Sequence, residues 1–130
     1  MFPRILVPID GSPLSFKAID IAQDLIKAGK GSRLTLIHVT TDDQDLLEKT
    51  QGFAERVLEE GMKRVSAEVQ TDVRLEIGAP AEVISRVAGE EKYDLIVMGT
   101  RGLTPIKSIL IGSVSAKVSA LSPCHVLLVK

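Results

Sequence analysis

The stretch that decides the fold is Ile5-Leu6-Val7-Pro8-Ile9-Asp10-Gly11-Ser12-Pro13, close to the N-terminus. Its first five residues are apolar and have the composition of a buried strand. Asp-Gly-Ser is a turn sequence, and Ser12 followed by Pro13 is the pattern of a helix N-cap and a first helical residue. The stretch therefore predicts a strand that passes through a tight turn directly into a helix.

Four further apolar runs repeat this pattern along the chain. The five predicted strands are Ile5 to Ile9, Leu34 to Val39, Val73 to Ile77, Leu95 to Met98 and Val126 to Val129. Strands that alternate with segments of helical period form parallel βαβ units. We therefore expect a single α/β domain over residues 1–130, an open parallel five-stranded sheet with helices on both faces, of the Rossmann-like type.

Four segments between these strands have helical period. The first begins at Ser12 and Pro13 and ends at Gly29, and its apolar face is Leu14, Ala18, Ile21, Ala22 and Leu25. The second places Ala54, Val57, Leu58, Met62 and Val65 on its inner face. The third begins near Pro80 with Ile84, Val87 and Ala88 inward, and the fourth follows Ser113. The polar segment Asp42 to Lys49 is either a loop or a frayed first turn of the second helix.

The composition of each strand indicates its place in the sheet. The first, second and fourth strands are almost wholly apolar, which predicts central positions with both faces covered. Val73 to Ile77 alternates with the charged Arg74 and Glu76, as in an edge strand with one face partly in water.

The last strand, Val126, Leu127, Leu128 and Val129, is apolar but is the final element of the chain. At the other edge of the sheet it would expose unpaired backbone groups and apolar side chains. We therefore predict a homodimer through this strand. The alternative is that a loop or the preceding helix covers the edge.

Composition argues against several classes of partner. The chain has 130 residues, 45% hydrophobic and 25% charged, with a formal net charge of -1, so neither nucleic acid nor an anionic membrane surface is expected as the main partner. No apolar run has the length of a membrane span, and the N-terminus lacks the pattern of a signal peptide. The single cysteine, Cys124, is interpreted as a buried structural thiol and fits a cytoplasmic protein.

A glycine-rich segment follows the fourth strand. Met98-Gly99-Thr100-Arg101-Gly102 is followed by Gly112-Ser113-Val114-Ser115, which places glycines and hydroxyls between a strand and a helix start. Glycine lets the backbone approach an anion closely, and a helix N-terminus favours negative charge, so this spacing predicts a phosphate site. It matches neither a P-loop nor a dinucleotide fingerprint.

Asp10, Val39 and Gly99 end three of the predicted strands. In open α/β sheets a ligand binds beyond the carboxyl ends of the strands, where the winding direction reverses. A carboxylate there can accept hydrogen bonds from a ribose or hold a divalent cation. Asp10-Gly11-Ser12 is equally an ordinary turn and cap, and the ligand interpretation gains weight only if the first and fourth strands are neighbours.

The chain closely resembles the universal stress protein family from end to end. The matching segments are Val7-Pro8-Ile9-Asp10-Gly11-Ser12, Ile37-His38-Val39, Gly78-Ala79-Pro80, Asp94-Leu95-Ile96-Val97-Met98-Gly99 and Pro123-Cys124-His125-Val126-Leu127-Leu128-Val129. This resemblance implies the strand order 3-2-1-4-5 and, as in many members, dimerisation through the last strand. The G-x2-G-x9-G-S spacing is that of the members that bind ATP, and it is intact here in Gly99, Gly102, Gly112 and Ser113.

The resemblance also implies a role for each matching position. Asp10 would contact the ribose, and Pro8, Ile9 and the backbone of Val39 would surround the adenine. Gly99, with Met98 beside it, and Gly102 would approach the phosphates. Gly112, Ser113, Val114 and Ser115 would give amides and hydroxyls at the start of the last helix. Arg101 and Lys107 also lie in the loop of this motif. Exposed basic side chains are usually just solvated, and the alternative is that the two add positive charge near the phosphates.

Little in the sequence supports catalysis. Asp10 is the one acidic residue placed to hold a metal, because Asp94 precedes its strand at the opposite end, and no catalytic residue is predicted. His38 and His125 are interpreted as structural, and Ser113 has no evident histidine partner.

The leading hypothesis is a stress-response protein that binds ATP, with ADP or AMP as alternatives and with Mg²⁺ as a candidate companion ion, and that acts as a dimeric sensor or adaptor. The alternatives are an interaction module with an empty crevice and a slow, metal-dependent ATPase.

Overall fold

A computed structural model of the chain describes residues 1–101 and 112–130. Its five strands form one parallel sheet in the order β3-β2-β1-β4-β5, which confirms the expected fold. The strands are β1 (Phe2–Pro8), β2 (Gly31–Thr40), β3 (Thr71–Ile77), β4 (Leu95–Gly99) and β5 (His125–Val129). Because β1 lies between β2 and β4, the direction of winding reverses beside β1.

Helices cover both faces of the sheet. They are α1 (Pro13–Lys27), α2 (Gln44–Lys49), α3 (Phe53–Lys63), α4 (Pro80–Glu90) and α5 (Ser113–Leu121). Helices α1 and α3 pack on one face around Ile5, Val7 and Leu36, and α4 and α5 pack on the other around Leu6, Ile37 and Ile96. None of the helices in the described ranges combines the length and apolarity needed to cross a bilayer.

Helix α1 begins and ends where the sequence predicts. The Ser12 hydroxyl accepts a hydrogen bond from the Ser15 amide at 3.2 Å, and Gly29 follows the helix with a φ of 78°. Ala18 and Ala22 are fully buried as expected. Leu14, Ile21 and Leu25 are only half-buried, because the helix turns Ser15 and Ile19 toward the sheet.

The segment before α3 forms a short helix of its own. In α2 the Asp43 carboxylate accepts a hydrogen bond from the Leu46 amide at 3.3 Å, and Gly52, with a φ of 80°, separates α2 from α3. The polar stretch is therefore neither a loop nor the first turn of the following helix. None of the residues of α2 is buried, so a hydrophobic pattern could not reveal it.

Helix α3 faces the sheet through Val57, with Leu58 and Val65 packed against the core as expected, but one predicted inner residue is wrong. Val57 and Gly61 are its buried positions, whereas Met62, predicted to face inward, is 38% exposed. Because the close contact is made through Gly61, the neighbouring Met62 turns toward the edge of the sheet, where it shares a shallow groove with Val73 of β3.

Strand β3 occupies an edge, as predicted, but its more exposed face is the apolar one. Val73, Leu75 and Ile77 are 50%, 43% and 60% exposed. The charged face is partly buried, with Arg74 Nε 3.0 Å from Glu76 Oε2. Burial opposes the charge of Arg74, but its hydrogen bond to Glu76 and the nearby carboxylates outweigh this effect and raise its pKa.

Helix α4 explains this inversion. It supplies Arg86, which pairs with Glu76, and Glu91 just after it pairs with Arg74. The charged face of β3 is therefore covered by partners of opposite sign, while α3 leaves the apolar face open.

Candidate functional site

A cleft of about 330 Å³ opens at the carboxyl ends of β1, β2 and β4. Such a volume lies at the lower end of the usual range for small-molecule sites. The cleft sits where the winding of the sheet reverses, which is where open α/β sheets bind ligands. Its lining comes from strand ends, from the first turns of α1 and α4, and from the N-terminus of α5.

Most of the site residues predicted from the sequence come together in this cleft. Those that line it are Pro8, Ile9, Asp10, Val39, Met98, Gly99, Arg101, Gly112, Ser113, Val114 and Ser115. Gly102 and Lys107 lie outside the described residues. The pairing of β1 with β4 places Asp10 and Gly99 in one cleft, which is the condition on which the ligand interpretation of Asp10 depended.

The cleft also has lining residues that were not among the predicted site residues. These are Ser12, Ser15, Ile37, His38, Pro80, Ile84 and Thr100. Pro80 and Ile84 follow β3, at the far edge of the sheet, so only the path of α4 back across the sheet brings them here. The Gly78-Ala79-Pro80 junction was the one signal for them in the sequence.

One part of the cleft is apolar. Ile9, Ile84 and Met98 are buried, with 3%, 3% and 6% of their surface exposed. Val39 beside them is half-buried. Apolar side chains that converge from three strand ends and a helix form a surface suited to a flat, weakly polar ring.

The other part of the cleft is the N-terminus of α5. The first hydrogen bond within this helix runs from the Ala116 amide to the Gly112 carbonyl at 3.0 Å. The amides of Ser113, Val114 and Ser115 precede that bond and have no acceptor among the described residues. These N–H groups and the positive end of the helix dipole favour an anion.

Ser115 is tied to the loop that follows β4. Ser115 is 2% exposed. Its hydroxyl donates a hydrogen bond to the Thr100 carbonyl at 2.7 Å, and the Gly112 carbonyl lies 3.1 Å from the same hydroxyl. The Gly112 amide donates to the same Thr100 carbonyl. The only hydrogen on the Ser115 hydroxyl is thus committed to the protein, whereas its amide has no acceptor within residues 1–101 and 112–130.

Asp10 forms the turn that the sequence indicated. Its Oδ1 accepts a hydrogen bond from the Ser12 amide at 2.9 Å, and Gly11 between them has a φ of 90°. A left-handed φ suits glycine and strains other residues. Asp10 is half-buried on the cleft wall, so the turn fixes where this carboxylate stands.

Gly99 is in close contact with helix α1. A Cβ at this position would lie 2.8 Å from the Leu14 Cβ and 3.2 Å from the Leu14 carbonyl carbon. The first turn of α1 therefore packs directly on the end of β4, in a space that only glycine leaves open.

Both histidines have structural contacts. Nδ1 of His38 lies 2.7 Å from the Ile9 carbonyl oxygen, so it carries the hydrogen and donates it, and the ring packs edge-on against Phe53. His125 is exposed at the start of β5 and packs edge-on against Phe2. These contacts agree with the structural interpretation of the two residues.

Asp94 stands at the opposite end of the sheet from the cleft, as predicted, where its Oδ2 accepts from the Arg4 amide at 2.9 Å. Within residues 1–101 and 112–130, no three His, Cys, Asp or Glu side chains gather as a metal site would require. Cys124 is half-buried rather than buried, and its Sγ lies 3.6 Å from the Ser122 hydroxyl.

An ion pair between Glu82 and Lys117 joins the two helices beside the cleft. The hydrogen bond from Lys117 is the main cause that lowers the pKa of the Glu82 carboxyl. Both side chains are about half exposed, so this pair links α4 to α5 at the protein surface.

Comparison with known proteins gives consistent matches. The sequence pattern described as "Universal stress protein family" matches residues 1–130. A universal stress protein of Thermus aquaticus is 40% identical over 140 aligned positions, which cover 100% of both chains. The structure of universal stress protein UspA from Lactobacillus plantarum superposes with a TM-score of 0.85, covering 99% of this chain and 98% of the other, at 21% identity. A universal stress protein solved in complex with cAMP superposes with a TM-score of 0.77, covering 99% and 97% of the two chains, at 29% identity.

Proposed function

The chain belongs to the universal stress protein family, and from this premise we propose that it binds an adenine nucleotide in the cleft at the carboxyl ends of β1, β2 and β4. The structural neighbour in complex with cAMP supports this proposal, because the similarity covers nearly the full length of both chains. The cleft supports it independently through its division into an apolar part and a part lined by helix amides.

The observation that carries the proposal is the N-terminus of α5, whose first residues line the cleft and whose first amides have no acceptor among the described residues. In the proposed complex the phosphates lie against Ser113, Val114 and Ser115, with Gly112, Gly99 and Gly102 allowing close approach. Arg101, exposed on the cleft wall, adds positive charge.

The adenine occupies the apolar part in this proposal. Pro8, Ile9 and Met98 pack on the ring, and the backbone of Val39 faces its polar edge. Asp10 is held by the turn between β1 and α1, in which its Oδ1 accepts from the Ser12 amide. Its other carboxylate oxygen, Oδ2, accepts hydrogen bonds from the ribose hydroxyls in this proposal.

ATP is the proposed ligand, and ADP and AMP share the same adenine and ribose contacts. Asp10 is the carboxylate on the cleft wall that would face a Mg²⁺ ion accompanying the phosphates. Because no metal cluster is present among the described residues, the proposed ion would take most of its ligands from the nucleotide and water.

In this proposal the chain is one domain over residues 1–130 and acts in the cytoplasm as a dimeric sensor or adaptor. The proposed dimer forms through β5, for which β4 is the one neighbouring strand within residues 1–101 and 112–130. Leu127 is 39% exposed there, and Val126 and Leu128 are half-buried, so a second copy would cover apolar surface.

Calorimetric titration of nucleotide-free protein with ATP, ADP, AMP and cAMP, with and without Mg²⁺, tests the proposal. We expect saturable binding near one nucleotide per chain. Absence of binding to all four nucleotides would favour an interaction module with an empty cleft. Phosphate release, measured on the same samples with Mg²⁺, separates a nucleotide sensor from a slow ATPase.

A pair of variants locates the site. Val114→Glu places a carboxylate beside the amides that would hold the phosphates. A negative charge in the first turn stabilises the helix through its dipole, but it repels a bound phosphate. Ala120→Glu adds the same charge at an exposed position of the same helix, away from the cleft. We expect the first variant to weaken ATP binding more than AMP binding and the second to change neither.

A further inference from the structure

No strand of the described part of the chain pairs with the outer edge of β3, and the register shows which of its residues face outward. The Gln70 carbonyl accepts from the Leu34 amide, and the Gly78 amide donates to the Thr40 carbonyl, so the even-numbered residues of this segment bond to β2. Backbone groups of successive strand residues point to opposite sides. The N–H and C=O groups of Val73, Leu75 and Ile77 therefore point away from the sheet, as at any unpaired edge.

The side chains of β3 are arranged symmetrically about Leu75. Val73 and Ile77 flank it on the exposed apolar face, at 50% and 60% exposure. Arg74 and Glu76 flank it on the opposite face. When the strand is reversed about Leu75, Val73 and Ile77 change places, and so do Arg74 and Glu76. An apolar residue thus replaces an apolar one, and a positive charge replaces a negative one.

We propose that β3 pairs with β3 of a second copy of this chain, antiparallel and centred on Leu75. In this register Leu75 faces the partner's Leu75, Val73 faces the partner's Ile77, and Arg74 faces the partner's Glu76. The outward-pointing residues oppose one another, so the three central pairs exchange backbone hydrogen bonds. The two Arg–Glu pairs fall at the intervening positions, where side chains across an antiparallel pair approach more closely.

The neighbouring antiparallel registers are disfavoured by hydrogen bonding or by charge. If the partner strand slides by one residue, so that Leu75 faces the partner's Arg74 or Glu76, the outward-facing backbone groups of one strand meet inward-facing groups of the other. The hydrogen bonds between the strands are then lost. The next allowed shifts centre the pairing on Arg74 or on Glu76, which places like charges directly opposite each other. Charge complementarity therefore favours a second copy as the occupant of this edge.

The register centred on Val73 also sets opposite charges together, Arg74 against the partner's Asp72, but it leaves Ile77 without a partner within β3. The register centred on Leu75 is the one that pairs all three outward-facing apolar residues.

The groove beside β3 extends the proposed contact. Met62 and Leu58 of α3 border the exposed face of Val73, between the charges of Glu59 and Lys63. A partner strand laid along β3 would cover this apolar surface as well. The contact is small and lies in the range of transient interfaces, so we expect association that depends on protein concentration.

This interface is separate from the nucleotide cleft and from β5, and cysteine cross-linking tests it directly. Leu75→Cys is made in a Cys124→Ser background and exposed to a mild oxidant. In the proposed register the two Cα atoms at position 75 lie about 5.5 Å apart, within the range that a disulfide spans. Val73→Cys in the same background is the matched control, because its two copies lie about 13 Å apart along the paired strands.

We expect a disulfide-linked dimer from Leu75→Cys at concentrations where Val73→Cys remains uncross-linked. Equal cross-linking of both variants, or none from Leu75→Cys while the protein remains folded, overturns the proposal and leaves this edge to a different partner.

Charge substitutions supply the second test. Glu76→Arg places arginine opposite arginine at both of the Arg–Glu positions, and we expect it to slow cross-linking through position 75 by about tenfold. Arg74→Glu combined with Glu76→Arg restores opposite charges across the interface, and we expect cross-linking to recover. Loss of cross-linking in the combined variant, while the protein remains folded, would show that complementarity between copies does not determine the pairing.

Discussion

The Ser115 hydroxyl donates a hydrogen bond to the main-chain carbonyl of Thr100 across an Oγ–O distance of 2.7 Å. The two residues are 2% and 3% exposed, so this bond is made away from water. It joins the first turn of α5 to the segment that leaves β4, and thereby fixes the helix amides relative to the glycine at the strand end. The orientation of the proposed phosphate site depends on this contact.

Ser115→Ala removes that bond with almost no change in shape. The Thr100 carbonyl keeps its bond from the Gly112 amide, so no buried acceptor is stranded, and we expect a loss of about 1 kcal/mol in the free energy of unfolding. Urea denaturation measures the loss. An unchanged stability together with weaker ATP binding would instead assign the hydroxyl to the ligand.

Ser113→Pro tests a single amide of the proposed phosphate site. Proline is well suited to a first helical position, and Gly112, at φ -74° and ψ 165°, already has the extended conformation that precedes proline. The variant therefore removes one N–H and one hydroxyl without disturbing the helix. We expect ATP affinity to fall about tenfold, the typical effect of losing a hydrogen bond to a charged group.

Ser113→Ala is the control for this substitution, because it removes the hydroxyl and retains the N–H. Calorimetry on both variants separates the two groups. Equal losses of affinity would point to the hydroxyl, and no loss in either would remove this amide from the site.

Gly61→Ala should destabilise the protein although alanine favours a helix. The added Cβ would lie 2.7 Å from Ile9 Cδ1 and 3.1 Å from Leu36 Cδ1, both in the filled core. Overpacking of this kind costs about 1–3 kcal/mol, more than the gain of about 1 kcal/mol in helix propensity.

Gly89→Ala is the matched control in α4, where the new Cβ would meet only the Pro123 ring at 3.3 Å. We expect its urea midpoint to stay near that of the wild type or to rise. A Gly61→Ala midpoint that rises as well would mean that α3 is free to move away from the sheet.

The Glu82–Lys117 pair predicts a pH-dependent contribution to stability. Folding lowers the pKa of Glu82 from its ordinary value of 4.5, so the stabilisation is complete above that value and is lost as the pH falls through the lower, folded one. We expect the difference in melting temperature between wild type and Glu82→Gln to shrink as the pH is lowered from 6 to 3. A difference that is independent of pH would show that the ion pair does not stabilise the contact between α4 and α5.

Local sequence patterns sufficed for the central part of the fold. Ser12 and Pro13 marked the start of α1, and the apolar composition of β1, β2 and β4 marked the centre of the sheet. The glycine spacing led to the cleft, because residues on either side of a strand-to-helix connection are close in any fold of this type.

The remaining features depend on contacts between distant elements. The exposed apolar face of β3 arises because Arg86 and Glu91 pair with the charged face, which alternation within the strand cannot reveal. The hydrogen bond from the Ser115 hydroxyl to the Thr100 carbonyl likewise depends on how the chain returns to the sheet. The sequence does not show which acceptor a serine hydroxyl will find.

The contact between Gly99 and Leu14 has a consequence for how this chain diverges. Because any side chain at position 99 would strike the first turn of α1, selection for folding alone retains glycine there, whether or not a nucleotide is bound. A descendant that lost its ligand would keep Gly99 and begin to vary at Ser113, which is exposed and carries no such packing constraint. Variation at Ser113, rather than at Gly99, would therefore indicate that nucleotide binding had been lost.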